Sequence, residues 1–266
     1  MNRGKYRILT KRHLAALAVL VFLLAALILA AAVLAPYAYA NAAAEAGRRL
    51  PICCTDRADR VVSLTFDFAA AQDGGDGRET EEILAVLARY HAAASFFVTG
   101  EWAQRHPETV MALHGAGHEV MNLTDTYPHL PGLPRDEIIH EIQACSDKIQ
   151  ALTGVRPALF RAPYGEYDDA LLQTADMLGT PCVQWDVDFP GTEDLSAGEA
   201  ARRTAAQVSS GSIVRFRSGA GNIPQALEEV LRSLQADGYA FLPVSAMVYT
   251  ENYALNQEGR QISLGG

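Results

Sequence analysis

The chain has 266 residues and a mass of 28.7 kDa, with 49% apolar residues and a formal charge of −9. Those values exclude a disordered or fibrous chain. The first forty residues hold five basic side chains and no acid, which leaves 17 basic against 31 acidic side chains, a net of −14, on the rest. A surface so acidic repels phosphate backbones, and no nucleic-acid partner is expected.

Residues 1–13 form a basic segment carrying Arg3, Lys5, Arg7, Lys11 and Arg12. From Leu14 to Leu34 run 21 uncharged, almost wholly apolar residues, which as a helix span about 30 Å, the hydrocarbon thickness of a bilayer. Basic residues before this stretch and acids after it keep the amino terminus cytoplasmic and place the rest outside. Residues 14–34 are therefore read as a transmembrane signal anchor, giving a single-pass cell-membrane protein with an extracytoplasmic domain. The alternative is a cleaved signal peptide, since Ala38-Tyr39-Ala40 has the small-x-small form of a cleavage site, although such peptides have apolar cores of only about 7 to 15 residues. A single span without a polar residue excludes a transporter or receptor built from the helix alone.

Residues 35–59 read as a juxtamembrane linker containing Cys53 and Cys54. With Cys145 and Cys182 they make four cysteines without zinc-ligand spacing, and their pairing is left open. From 60 to 250 short runs rich in Val, Ile, Phe and Leu alternate with longer helical patterns, the rhythm of one α/β domain with a parallel sheet. Strands are predicted at 60–67, 94–98, 118–122, 158–161, 182–188, 212–217 and 240–244. Capping boxes stand at Asp76-Gly77-Arg78-Glu79 and Ser196-Ala197-Gly198-Glu199. Ile138, Ile142, Cys145, Ile149 and Leu152 form a helical stripe ending at Gly154, and Leu227, Val230, Leu231 and Leu234 form another before Gly238. Residues 251–266 read as a polar tail.

Four strand ends carry short polar motifs: Thr65-Phe66-Asp67, Gly117-His118-Glu119-Val120-Met121-Asn122, Phe160-Arg161-Ala162-Pro163-Tyr164-Gly165 and Trp185-Asp186-Val187-Asp188, with Gly211-Ser212-Ile213-Val214 following. In order and spacing they resemble the polysaccharide deacetylase family, the NodB homology domain, over residues 60–250. The stretches around Glu101-Trp102, Pro128-His129-Leu130 and Pro243-Val244-Ser245 resemble the membrane-anchored members of spore-forming bacteria. The resemblance implies a bacterial protein of carbohydrate metabolism, a sporulation setting and a distorted (β/α)7 barrel with its site at the carboxyl ends of the strands, where barrel sites form. It also implies a cell-wall glycan such as peptidoglycan, or an envelope protein, as partner.

Removing an acetyl group from a sugar nitrogen needs a polarised carbonyl, an activated water and a proton for the leaving amine. The resemblance makes Asp67 the residual catalytic base, Arg161 its partner, Pro163 and Tyr164 the groove wall, and Asp186 and Asp188 substrate-side carboxylates. The family holds a divalent metal such as zinc, but its three ligand positions are Phe68, Leu123 and Tyr127 here. Phe and Leu carry no donor atom, and a neutral phenol is a poor zinc ligand. The family's general-acid His aligns with Arg217, which releases no proton at relevant pH, and Gly191-Thr192 replaces a further Asp-Trp pair. A catalytic metal lowers the pKa of its water from about 15.7 to about 7, on the order of 12 kcal/mol. No cofactor is therefore expected, and the chain is read as a non-catalytic member that binds glycan or a partner. The alternative is an active hydrolase with a non-standard metal site.

Strand alternation puts Ile213, Arg215 and Arg217 on one face, so Arg217, with Arg215, is expected to supply positive charge against Asp67, Asp186 and Asp188. Asp125 and His129, with Asp67 or His118, are the candidates for a relocated metal site; the plainer readings are solvated loop residues and a structural His118. Trp185 is open between lining a groove and plugging the barrel. Asn122-Leu123-Thr124 fits a glycosylation sequon but overlaps a motif and is read as chance.

Overall fold

The computed structural model describes residues 49–69, 78–191 and 194–265. The anchor at 14–34, the site at Ala38–Ala40, the cap at Asp76 and Thr192 all lie outside the described residues. Among the described residues no helix is long and apolar enough to cross a membrane.

The centre of the molecule is strand β2 (Val61–Phe68), buried along its whole length. Its composition alternates. Val62, Leu64, Phe66 and Phe68 join the larger apolar core on the helix side, whereas Ser63, Thr65 and Asp67 turn to the interior and make hydrogen bonds there. A strand covered on both faces reads as a nearly continuous buried run. Strands β3 (Ala94–Val98), β4 (Glu119–Asn122) and β6 (Ser212–Arg217) follow the same parallel order, with Asp67 opposite both Phe97 and Arg217. Phe66 stacks between Phe96 at 4.9 Å and Phe216 at 5.2 Å, an aromatic row across three strands. Together the strands and their covering helices make an α/β half-barrel.

The helices are α1 (Arg78–Arg89), α2 (Gly100–Arg105), α3 (Pro107–Gly115), α4 (Arg135–Thr153), α5 (Asp169–Met177), α6 (Ala197–Ala205), α7 (Ile223–Ala236) and α8 (Val244–Met247). Helix α4 buries Ile138, Ile142, Cys145 and Ile149 and stops at Gly154, as its stripe predicts. Ser196 caps α6 by accepting from Glu199 N at 3.2 Å.

Three parts differ from the sequence reading. Residues 158–161 form no ladder: Phe160 bridges Asn122 and Cys182 singly, with Pro157 and Pro163 close on either side lacking amide donors. Residues 182–188 change neighbours midway, from Ile52 at Val183 to β6 at β5 (Val187–Asp188), so the predicted strand is broken. Finally, the sequence ends read as linker and tail are built into the sheet. β1 (Cys54–Thr55), within 35–59, pairs antiparallel with β6 and parallel with β8 (Arg260–Ser263), which forms a hairpin with β7 (Tyr253–Leu255) inside 251–266.

Candidate functional site

Asp67 is the last-but-one residue of β2, on its interior face, and is 2% exposed. Its Oδ1 accepts from Arg161 Nη1 at 2.6 Å. Arg161 is fully buried and also donates to Thr65 Oγ1 at 2.9 Å, Val183 O at 3.3 Å and Gln184 O at 3.1 Å. Its guanidinium lies 3.9 Å from the centre of the Phe97 ring. Burial pulls the Arg161 pKa down, and the Asp67 charge pulls it back up. A planar fork with five donors suits this task, because it can join β2 to two loop carbonyls at once. The sequence therefore placed Asp67 and Arg161 together by resemblance, and the structure brings them into contact.

Beside this pair a second one closes the wall. Arg215 donates through Nε and Nη2 to the two oxygens of Asp188 at 2.9 and 2.7 Å, and its guanidinium sits 3.4 Å over the Trp185 ring. Trp185 is half-buried and packs against Gly165, where an added Cβ would lie 3.1 Å from the indole. Gly165 follows Pro163 and Tyr164 in a tight turn, so the groove wall and the indole fix one another.

Arg217 does not do what the sequence reading assigns to it. It shares the face of Arg215, but it stands at the last position of β6, exposed, with no side-chain hydrogen bond or ion pair among the described residues. Among the described residues the counter-charge of Asp67 is Arg161, and that of Asp188 is Arg215. Asp186 is also displaced from its expected place: it accepts from Ser212 Oγ at 2.8 Å and Ile213 N at 2.7 Å, at the start of β6. Ser212 pairs with Val62, five residues before Asp67, which is about 16 Å along a strand.

The proposed metal positions hold packed apolar groups. Phe68 points to the helix side against Trp102 at 5.0 Å and Phe96 at 5.9 Å. Leu123 is 1% exposed in the inner apolar cluster, together with Tyr127. Among the described residues no group of three or more His, Cys, Asp or Glu is placed to hold a metal. The relocated site does not form either, because Asp125 is bound by Lys148 at 2.6 and 2.9 Å and His129 by Glu166 at 2.7 Å. These donors do not fit a divalent metal. His118 accepts from Ala94 N at 3.3 Å through Nδ1, the structural role read for it.

Tyr164, read from the sequence as groove wall, belongs to an aromatic rim whose other members, His129 and Tyr127, the sequence reading did not group with it. Tyr164 is 49% exposed and is stacked by His129 at 4.1 Å, with Tyr127 at 4.8 Å. Thr124, Tyr127 and Tyr164 all have left-handed backbones, with φ of 70°, 66° and 60°. Non-glycine residues there are strained and cluster at functional places. No periodicity signals such a conformation. Chemically, the arrangement offers a carboxyl group held by a buried guanidinium, an aromatic surface and an exposed guanidinium at Arg217; no proton donor for a leaving amine is within its hydrogen-bond network among the described residues.

Residues 55–183 match the profile of a family described as polysaccharide deacetylase. The chain is 31% identical to the peptidoglycan-N-acetylmuramic acid deacetylase of Bacillus subtilis over 72% of its own length and 39% of that protein. It thus spans about two fifths of that relative. It is 30% identical to a peptidoglycan-N-acetylglucosamine deacetylase of Bacillus cereus, over 71% of this chain and 68% of that one. The fold is also that of a CE4 family pseudoenzyme from Bacillus anthracis, with a TM-score of 0.68 at 21% identity, covering 80% of this chain and 70% of the other.

Proposed function

This chain belongs to the polysaccharide deacetylase family, and on that premise we propose that it is a non-catalytic member, which binds N-acetylated cell-wall glycan through a remodelled groove. The observation that carries this reading is the filling of the metal positions by Phe68, Leu123 and Tyr127 as packing groups, two of them without any donor atom. Hydrolysis then lacks both an activated water and an acid, the latter worth about 10² to 10⁴ in rate. The retained Asp67–Arg161 pair, the Trp185 wall and the Tyr164 rim support binding, since aromatic faces and fixed polar groups are what a sugar ring meets in a groove. The hydrophobic segment at 14–34 supports a membrane-anchored, extracytoplasmic placement beside that polymer.

The test uses the metal-stripped full chain. Peptidoglycan fragments are expected to bind without acetate release, with or without added Zn²⁺, and Arg217→His is expected to release none, since it restores no ligand. Zinc-dependent acetate release from the unaltered chain, or measurable release by Arg217→His alone, would overturn the reading. Absence of glycan binding would remove the glycan and leave an envelope protein as partner.

A further inference from the structure

The loop between β4 and α4, residues 123–134, carries Tyr127 to the aromatic rim, and its course is held from outside. Asn122 starts it: its Oδ1 accepts from Thr124 N at 2.7 Å, while its Nδ2 donates to Ile142 O at 2.6 Å and Ser146 Oγ at 2.8 Å on α4. Thr124 and Tyr127 both stand in the left-handed region, and such a backbone persists only where its surroundings over-determine it. The amides of Asp125 and Thr126, between these two residues, find no acceptor within the loop. Glu141, in the second turn of α4, supplies one. Its Oε2 accepts from Asp125 N and Thr126 N, both at 2.9 Å, and its Oε1 accepts from Thr126 Oγ1 at 2.8 Å.

Among the described residues Glu141 bonds to nothing else. A carboxylate whose donors all belong to one loop acts on that loop. The neighbouring strap differs: Asp125 binds Lys148 through both oxygens, and Gly100 lies so close that an added Cβ would overlap Asp125 Oδ1. Gly100 N and Glu101 N donate to Thr124 O and Asp125 O at 3.0 Å each, so that strap also serves the start of α2. Beyond Thr126 the loop delivers the rim directly. The Tyr127 ring lies 4.8 Å from that of Tyr164, and Tyr127 O accepts from Tyr164 Oη at 3.4 Å. Tyr164 in turn stacks on His129 at 4.1 Å. A shift of the amides at 125 and 126 therefore moves Tyr127, and with it the support of the exposed Tyr164.

We propose that Glu141 is a positioning residue of the groove, which never meets the ligand and fixes the rim in the shape that the ligand meets. This rests on the glycan-binding reading above and adds the residue that preorganises it, since a rim set before binding costs no ordering when the ligand arrives. The test compares Glu141→Ala, Glu141→Gln and Glu137→Ala in the full chain. The readouts are nuclear Overhauser contacts between the Tyr127 and Tyr164 rings and titration with peptidoglycan fragments. Gln keeps a carbonyl oxygen for both amides and offers an N–H to Thr126 Oγ1, whereas Glu137→Ala removes the same charge from an exposed position one turn earlier on α4. Glu141→Ala should abolish the ring contact and weaken fragment binding by about tenfold or more, with the contacts among Phe66, Phe96 and Phe216 unchanged. Glu141→Gln should restore both readouts, and Glu137→Ala should alter neither. An intact ring contact or undiminished fragment affinity in Glu141→Ala, a Glu141→Gln variant as impaired as Glu141→Ala, or an equal loss in Glu137→Ala overturns the proposal. Loss of the phenylalanine contacts in Glu141→Ala also overturns it, because the residue would then hold the core. A parent chain that binds no fragment overturns the glycan reading instead, and the ring contact with its rescue by Gln then decides the role of Glu141.

Discussion

Replacing Arg161 with Met tests whether the buried ion pair holds the interior together. Met keeps much of the stem, but it leaves the Asp67 carboxylate at 2% exposure without its counter-charge and removes the donors to Val183 O and Gln184 O. Breaking one side of a buried pair costs about 3 to 5 kcal/mol, and each of the two orphaned acceptors adds about 1 kcal/mol, for a total of about 5 to 7 kcal/mol. Asp67→Asn is gentler. It keeps an acceptor for Nη1, and the guanidinium retains Thr65, Val183 and Gln184, so about 2 to 3 kcal/mol is expected. In the double variant no unpaired charge remains, and its loss should fall about 2 kcal/mol short of the sum of the singles. Urea unfolding followed by tryptophan fluorescence gives the three values. Thermal midpoints should drop by about 10 to 28 °C for Arg161→Met, at about 2 to 4 °C per kcal/mol. Strictly additive singles, or an Arg161→Met variant within about 1 kcal/mol of the parent, would refute the buried-pair argument.

Gly211→Ala should displace the amino-terminal strap. An added Cβ would lie 2.0 Å from Thr55 O, which is backbone, at a φ of +81°. A left-handed non-glycine residue and overpacking together cost about 2 to 4 kcal/mol; hydrogen exchange at Thr55 N, bound to Gly211 O, should accelerate, and unchanged protection there would contradict the placement of β1. The thiols predict an alkaline limit. Burial raises Cys53 to about 11 and Cys54 and Cys182 to about 12, from an ordinary 9.0, and raises Cys145 as well. Stability should be full below pH 9, then fall as the unfolded chain ionises and the folded one does not, by about 1.4 kcal/mol per thiol at pH 10. Unfolding free energy against pH, compared with Cys145→Ala, measures this, and a slope equal in both proteins would count against it.

Much of the fold is legible because its strands are buried on two faces and its helices on one. The patterns of β2, β3 and β6 and the stripes of α4 and α7 are direct consequences. Pattern fails where pairing is short or distant. β1 has two residues, and its partners Ser212 and Arg260 lie far along the chain; the polar hairpin at its side gives no amphipathic signal. Arg215 and Arg217 show a different limit. Alternation gives both the same face, but depth along the strand decides burial, and β6 emerges from the sheet between them. Asp186 was misplaced for a related reason, since motif position does not reveal that its carboxylate is taken by the start of β6.

The family motif positions matched and lost here divide along a physical line. Asp67 and Arg161 join β2 to the segments carrying Val183 and Gln184, so their removal would open the interior whether or not any reaction occurs. The metal positions had no such duty: Phe68 and Leu123 fill apolar layers that need only volume and contact. A carboxylate at the base position is thus what the fold requires, and its presence says nothing of turnover. The same reasoning applies to adding donors back. Phe68→Asp would place a charge between Trp102 and Phe96 in the helix-side core, an environment that penalises an unpaired carboxylate strongly, so donors at Leu123 and Tyr127 and a bound cation would have to arrive with it before the change could be tolerated.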